Sequence, residues 1–277
     1  MLPTLTGVKA MQRGLKIAIS GKGGVGKTTI CAVWSQLFAE DGLDVLAIDA
    51  DSDPNLASAL GVAIEDAPEP LITMKELIEE RTGAKAGSVG QYFKLNPKVS
   101  DLPEKYWHKV SGIKLLVLGG TKNAGAGCAC PESAFLKALL AHTILQRREA
   151  ILVDLAAGLE FMGRACVQGV DAVVVVVEPG ARSIETAVNI ARMAGNMGIE
   201  HVAAFANKIT DPGQIDIIRS QLAGIPILGS FRLEPALSAA DLNRLPVVDA
   251  SNELVRELKK AKEAMANLFF QERVSQN

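Results

Sequence analysis

Three groups of residues have types and spacings that do chemistry. The first is the run ISGKGGVGKTT, in which Gly21 through Thr28 fit G-x-x-x-x-G-K-[ST]. Glycines let the backbone fold tightly, so that successive N–H groups converge on phosphate oxygens. A helix opening directly after the loop adds its positive dipole end. The pattern predicts a phosphate cradle made by Gly23, Gly24, Val25, Gly26, Lys27, Thr28 and Thr29. Lys27 suits the β and γ phosphates, and the Thr28 hydroxyl suits Mg2+. Nothing in that scheme uses Lys22, which on these grounds alone is a solvated surface lysine.

The second group is acidic. In IDADSDPN, Asp49, Asp51 and Asp53 alternate where an apolar run ends. Carboxylates this close repel one another unless Mg2+ or water compensates. Asp53, directly before Pro54, also suits a turn. Asp154 ends the apolar run ILVDL and is suited to hold Mg2+ through water. The third group is the stretch AGAGCACPESAF, where one residue separates Cys128 from Cys130. Pro131 fits a first helical position, which makes Cys130 an N-cap. A thiol there has a lowered pKa and more of the thiolate that binds metal. A disulfide across so short a gap is strained, and a tetrahedral site takes more donors than two thiolates provide. The alternative is two small residues buried in a turn. Cys31 and Cys166 read as structural thiols on helices.

Positioning these groups takes a sheet. Apolar runs recur at Lys16–Ser20, Val45–Asp49, Leu115–Leu118, Ile151–Leu155, Ala172–Val177, Val202–Ala206 and Ile225–Leu228. Most lack polar alternation, so they predict strands buried on both faces. Helix-length segments between them predict a parallel sheet with right-handed crossovers. Residues 63–112 break the rhythm and read as an insertion beside the sheet, with a small hairpin and a helix ending at Gly83. A covering loop and a partner-binding segment are both open readings for it. The last helix, SNELVRELKKAKEAMANLFF, has Ser251 or Asn252 as N-cap. Its Leu254, Leu258, Ala261, Met265 and Leu268 share one face. The expected organisation is a loose tail over 1–14 (with Met11 as an alternative start), one domain over 15–270, and a polar tail over 271–277.

Composition narrows the function classes. The chain of 277 residues is 48% hydrophobic and 22% charged, with net charge −2, which gives no electrostatic case for nucleic acid or a membrane surface. No apolar run approaches the roughly 18 residues of a membrane span, and the start lacks a secretory signal. Four cysteines in a chain this long are no disulfide framework, so a reducing cytoplasm is expected.

GKGGVGKTT resembles the deviant Walker A motif of the MinD/ParA/nitrogenase-iron-protein class of ATPases. The resemblance implies an α/β P-loop NTPase fold with a mostly parallel sheet of about seven or eight strands flanked by helices. It also implies a homodimer that sandwiches two ATPs, with Lys22 touching the partner's nucleotide. Asp51 takes the water-orienting role, Asp154 the Walker B role, and Gly158 completes a γ-phosphate switch. Asn207, beside Lys208 at the end of VAAFANK, recognises adenine through its amide. The base-contacting segment that follows usually carries a proline, whereas here Phe231 and Arg232 occupy that place. Arg232 is read either as stacking on the base or as exposed.

With the C-x-C pair, DADSDPN and VDLAAGLEFMGRACVQGVDAVVVVVEPGARSIETAVNI in one order, the chain is similar to the CooC-type ATPases from about Leu15 to about Asn243. That family implies ATP-dependent dimerisation and nickel insertion into carbon monoxide dehydrogenase as client. On the two-fold axis of such a dimer, Cys128 and Cys130 of two subunits supply four sulfurs for nickel, or for zinc, which thiolates also take. Two readings compete. A nitrogenase-like iron–sulfur reductase has its second ligand where this chain has Phe161, with Cys166 farther on. A positioning ATPase predicts a membrane helix or a DNA-binding patch, and neither is evident.

Overall fold

The computed structural model describes residues 14–87, 91–119, 131–142, 149–156 and 170–274. All seven residues of β1 (Leu15–Gly21) are buried, as a strand covered from above and below must be. The others are β2 (Asp44–Ala50), β3 (His108–Val110), β4 (Ile113–Val117), β5 (Glu149–Leu155), β6 (Ala172–Val177), β7 (Val202–Ile209) and β8 (Ile227–Arg232). Among the described residues they form one eight-stranded sheet in the order β3-β4-β2-β5-β1-β6-β7-β8. Every pairing is parallel except β3 with β4. The carboxyl ends of β1, β2, β5, β6 and β7 therefore point the same way, and α/β sheets bind ligands at that rim.

All seven expected strands are present, with two adjustments. β8 starts later than expected and runs on to Arg232, so Phe231 lies within the sheet and is 3% exposed. The expected small hairpin is β3–β4. Its two turn residues, Ser111 and Gly112, have φ of 47° and 85°, the left-handed pair that a tight hairpin turn needs.

The sheet divides two apolar layers. In one, the insertion contributes Leu71, Leu77, Ile78, Val99 and Leu102, packed with Leu116, Leu118 and Phe135. The helix Lys75–Thr82 ends at Gly83 as expected. Arg81 then clamps both carboxylate oxygens of Asp101, at 3.0 and 2.8 Å. The insertion thus covers one face of the sheet, while its Tyr92 and Leu95 stay exposed.

The opposite layer packs helix α1 (Lys27–Glu40) and the C-terminal helix Asn252–Val274 against the sheet. Ser251 Oγ accepts from Leu254 N at 3.2 Å, so Ser251 is the N-cap. Leu254, Leu258, Ala261 and Met265 are buried, and Leu268, farther along the same face, is 38% exposed. The helix also continues to Val274, into the stretch expected to be a polar tail. Its residues there, Gln271, Glu272 and Arg273, are good helix formers. Two polar side chains, Trp34 and Lys262, bind this helix to α1. Trp34 Nε1 donates to Leu258 O at 3.0 Å in the core. Lys262 Nζ donates to Leu37 O at 3.1 Å and to Asp41 Oδ2 at 2.5 Å, placing a cation at the negative end of α1. Among the described residues, no helix is long and apolar enough to cross a membrane.

Trp34 is fully buried. Trp34→Phe removes the indole donor while Leu258 O keeps its bond within the helix, and is expected to cost about 0.5–1.5 kcal/mol in urea unfolding. Trp34→Ala is expected to cost about 3–5 kcal/mol, because it adds a cavity.

Candidate nucleotide and metal site

β1 delivers the glycine-rich loop to the carboxyl rim, and the loop's shape depends on residues without a Cβ. A Cβ on Gly21 (φ +148°) would lie 2.4 Å from Val176 O of the neighbouring β6. A Cβ on Gly26 (φ +100°) would lie 2.5 Å from Asn207 Nδ2. The Val25 side chain is buried in the core, so only its backbone faces the loop interior. Lys27, 6% exposed, turns back over the loop, its Nζ 3.4 Å from Lys22 O.

Asp49 and Asp154 occupy partner positions on adjacent strands and are both fully buried. Asp49 Oδ1 accepts from Asp51 N at 3.1 Å and Oδ2 from Leu56 N at 2.8 Å. Its work is therefore to fold the loop that carries Asp51. Asp53 completes that turn by donating its N–H to Asp51 Oδ1 at 3.1 Å. Asp154 Oδ2 accepts from Thr28 Oγ1 at 2.6 Å, whereas Asp154 Oδ1 is buried without a hydrogen-bond partner. Burial pushes the Asp49 carboxyl up to about 6. It pushes Asp154 up to about 7, with Asp49 adding to the rise and the Thr28 hydroxyl and Lys27 opposing it.

These residues meet the requirements of Mg2+. An orphaned buried carboxylate oxygen, a hydroxyl beside it and a second buried acid all favour a divalent cation. Among the described residues no three His, Cys, Asp or Glu side chains form a cage. Thr28 and Asp154 would hold the ion from one side, which is how Mg2+ sits when phosphates and water complete its shell.

A cleft of about 520 Å³ opens beside this pair. It is lined by the predicted Gly23, Gly24, Gly26, Lys27, Thr28, Thr29, Asp51, Asn207, Lys208 and Arg232, together with Leu233 and Leu237. Two of these residues also make contacts within the chain. Asn207 is 7% exposed and commits Nδ2 to Val25 O at 2.8 Å, which ties β7 to the loop. Arg232 stands exposed at the rim, paired with Glu253 at 2.8 Å and Glu234 at 3.3 Å. Sequence reasoning missed Glu178, which lies 3.5 Å from Lys22 Nζ and 3.8 Å from Lys208 Nζ. Its signal was an acid ending the strand beside β1, in VVEPG. Cys31 is buried and its thiol is held well above the usual range, mainly by desolvation, as a structural cysteine requires. Cys128, Cys130, Gly158, Phe161 and Cys166 lie outside the described residues.

Sequence comparison gives this cleft a context. The family described as the CobQ/CobB/MinD/ParA nucleotide binding domain matches residues 16–247. The chain is similar to the carbon monoxide dehydrogenase accessory protein CooC of Rhodospirillum rubrum, with 43% identity over 86% of this chain and 90% of that one. It is 39% identical to an uncharacterised ATP-binding protein of Methanocaldococcus jannaschii, over 89% of this chain and 95% of that one. The septum site-determining protein MinD of Pyrococcus horikoshii, complexed with Mg-ADP, superimposes with a TM-score of 0.63. At 20% identity, over 91% of this chain and 94% of that one, it shows the fold alone.

Two outcomes follow for this site. Gly26→Ala meets both the left-handed φ and the Asn207 amide, and nucleotide affinity is expected to fall about tenfold or more in equilibrium binding. The second concerns pH. Asp154 keeps a proton up to about pH 7 in the folded chain, but loses it near pH 4 when unfolded. The folded state binds more protons across that window, so in EDTA stability falls as pH rises from 4 to 7. Asp154→Asn is expected to flatten that decline in thermal unfolding. It also lowers kcat by roughly a hundredfold or more, the scale of losing one preorganised electrostatic group.

Proposed function

The chain belongs to the CobQ/CobB/MinD/ParA nucleotide-binding domain family, and from that premise we propose that it is an ATP-driven accessory factor for carbon monoxide dehydrogenase. In this reading it works in the cytoplasm, dimerises around ATP, and carries nickel on thiolates shared between two copies. The ATPase class comes with the family and with the strong relation to named ATP-binding proteins. The single observation that carries the client is the 43% identity to the Rhodospirillum rubrum accessory protein.

The chemistry follows from the residues around the cleft. The loop N–H groups and Lys27 bind the triphosphate and take up its negative charge. Thr28 and Asp154 hold Mg2+, which when bound supplies further neutralisation of the β and γ oxygens. Asp51, on the loop that Asp49 folds, orients the attacking water. Asn207 keeps the loop closed and offers the rest of its amide to the base. Lys22 reaches into the partner's site. Cys128 and Cys130 from each copy give four sulfurs for the nickel cargo, and zinc competes for the same thiolates. Hydrolysis opens the dimer and lowers its hold on the metal, so transfer to the client follows the population of the closed state.

The test is metal titration against oligomeric mass, with and without the non-hydrolysable analogue AMPPNP. One nickel per dimer is expected, lost in Cys128→Ser/Cys130→Ser while ATP hydrolysis persists. Equal metal affinity in every nucleotide state would overturn the coupling of ATP to metal handling.

A further inference from the structure

Glu178 stands where the glycine-rich loop leaves the sheet. β6 pairs with β1 so that Gly21 lies opposite Val176, and two residues later β6 gives way to Glu178. The backbone there is fixed, because Glu178 N donates at 3.1 Å to the hydroxyl of Ser183, a buried residue in the helix Ala181–Asn196. The carboxylate then serves two lysines at once. Oε1 lies 3.5 Å from Lys22 Nζ and Oε2 lies 3.8 Å from Lys208 Nζ. Lys208 is itself held, with its backbone in the left-handed region at φ 57° and its Nζ donating to Gly24 O. Lys22 is held differently: its carbonyl accepts from Lys27, while its ammonium has only the part-exposed Glu178 pair among its described contacts.

We propose that Glu178 is a positioning residue that holds Lys22 retracted against its own subunit until a partner's nucleotide takes the ammonium away. The inference rests on the reading above that Lys22 acts in trans. A lysine turned back toward β6 cannot at the same time reach across a dimer interface, so the partner's phosphates and Glu178 compete for one charge. Lys208 makes the exchange mild. When Lys22 leaves, Glu178 keeps Lys208, and no carboxylate is left unpaired beside the triphosphate. The latch also keeps Lys22 from folding onto its own subunit's γ-phosphate before a partner arrives. Because both side chains are part-exposed, the pair shifts the dimer equilibrium modestly, by about two- to fivefold.

The experiment measures the dimer dissociation constant with AMPPNP by sedimentation, for wild type, Glu178→Gln, Glu178→Asp, Lys22→Ala and the Lys22→Ala/Glu178→Gln double variant. Glu178→Gln, which keeps shape and loses charge, is expected to tighten the dimer about two- to fivefold. Glu178→Asp stays near wild type, Lys22→Ala weakens the dimer, and Glu178→Gln changes nothing in the Lys22→Ala background. If Lys22→Ala weakens the dimer but Glu178→Gln leaves it unchanged or looser, the latch is overturned and the trans lysine stands. A Glu178→Gln effect that persists without Lys22 also overturns it, since the charge would then act through Lys208. Lys22→Ala dimerising like wild type removes the trans reading and the latch together.

Discussion

Two carboxylates out of reach of water, Asp49 and Asp154, stand side by side on β2 and β5, and the site is organised around that unfavourable pairing. Like charges at low dielectric destabilise each other and hold protons above their usual range. Three of the four oxygens are satisfied by the chain, from Asp51 N, Leu56 N and the Thr28 hydroxyl. The fourth, Asp154 Oδ1, is not. The contacts that make the pair tolerable also shape the site. The Leu56 and Asp51 bonds fold the acidic loop, and the Thr28 bond sets the first turn of α1. The charge left over is the one a divalent cation would balance.

The glycine-rich loop is gripped from both sides of β1. From β5, Asp154 holds Thr28. From β7, Asn207 and Lys208 hold the Val25 and Gly24 carbonyls. Glu178, at the end of the intervening β6, ties Lys22 and Lys208 into the same arrangement. A loop fixed by side chains from three neighbouring strands presents its N–H groups already converged, so less order has to be imposed when phosphate arrives.

Much of this was legible in the sequence, for reasons that also explain the gaps. Strands buried on both faces leave unbroken apolar runs, and the phosphate loop is a local motif that carries its own geometry. β3 has three residues, none of them buried, so it offered no such run. β8 was misregistered because hydrophobicity points to Ile225–Leu228, while the backbone of Ser230 and Arg232 pairs with β7 regardless of side chain. The polar contacts were the least legible. Asn207 meets Val25 across 182 residues of sequence, and such a bond leaves no pattern near either end. The resemblance implied a base contact for its amide, and the tie to the loop is an additional role that no local pattern showed. Cys128 and Cys130 announce their chemistry by type and spacing, but their placement in space lies outside the described residues.

The grip of the last helix on the first has a consequence for how the chain is made. Trp34 and Leu258 are 224 positions apart, and Lys262 reaches Leu37 across 225. A ribosome releases the phosphate loop and α1 well before the helix Asn252–Val274, which supplies the surface that covers Trp34, Leu37 and Phe38. Until then the face of α1 that is to become core is wet, sticky and open to association with other nascent chains. Contacts of such long sequence separation also close slowly. The segment left uncovered during synthesis is thus the one that carries the phosphate loop, which makes the interval before the helix Asn252–Val274 emerges a period of need for chaperone protection.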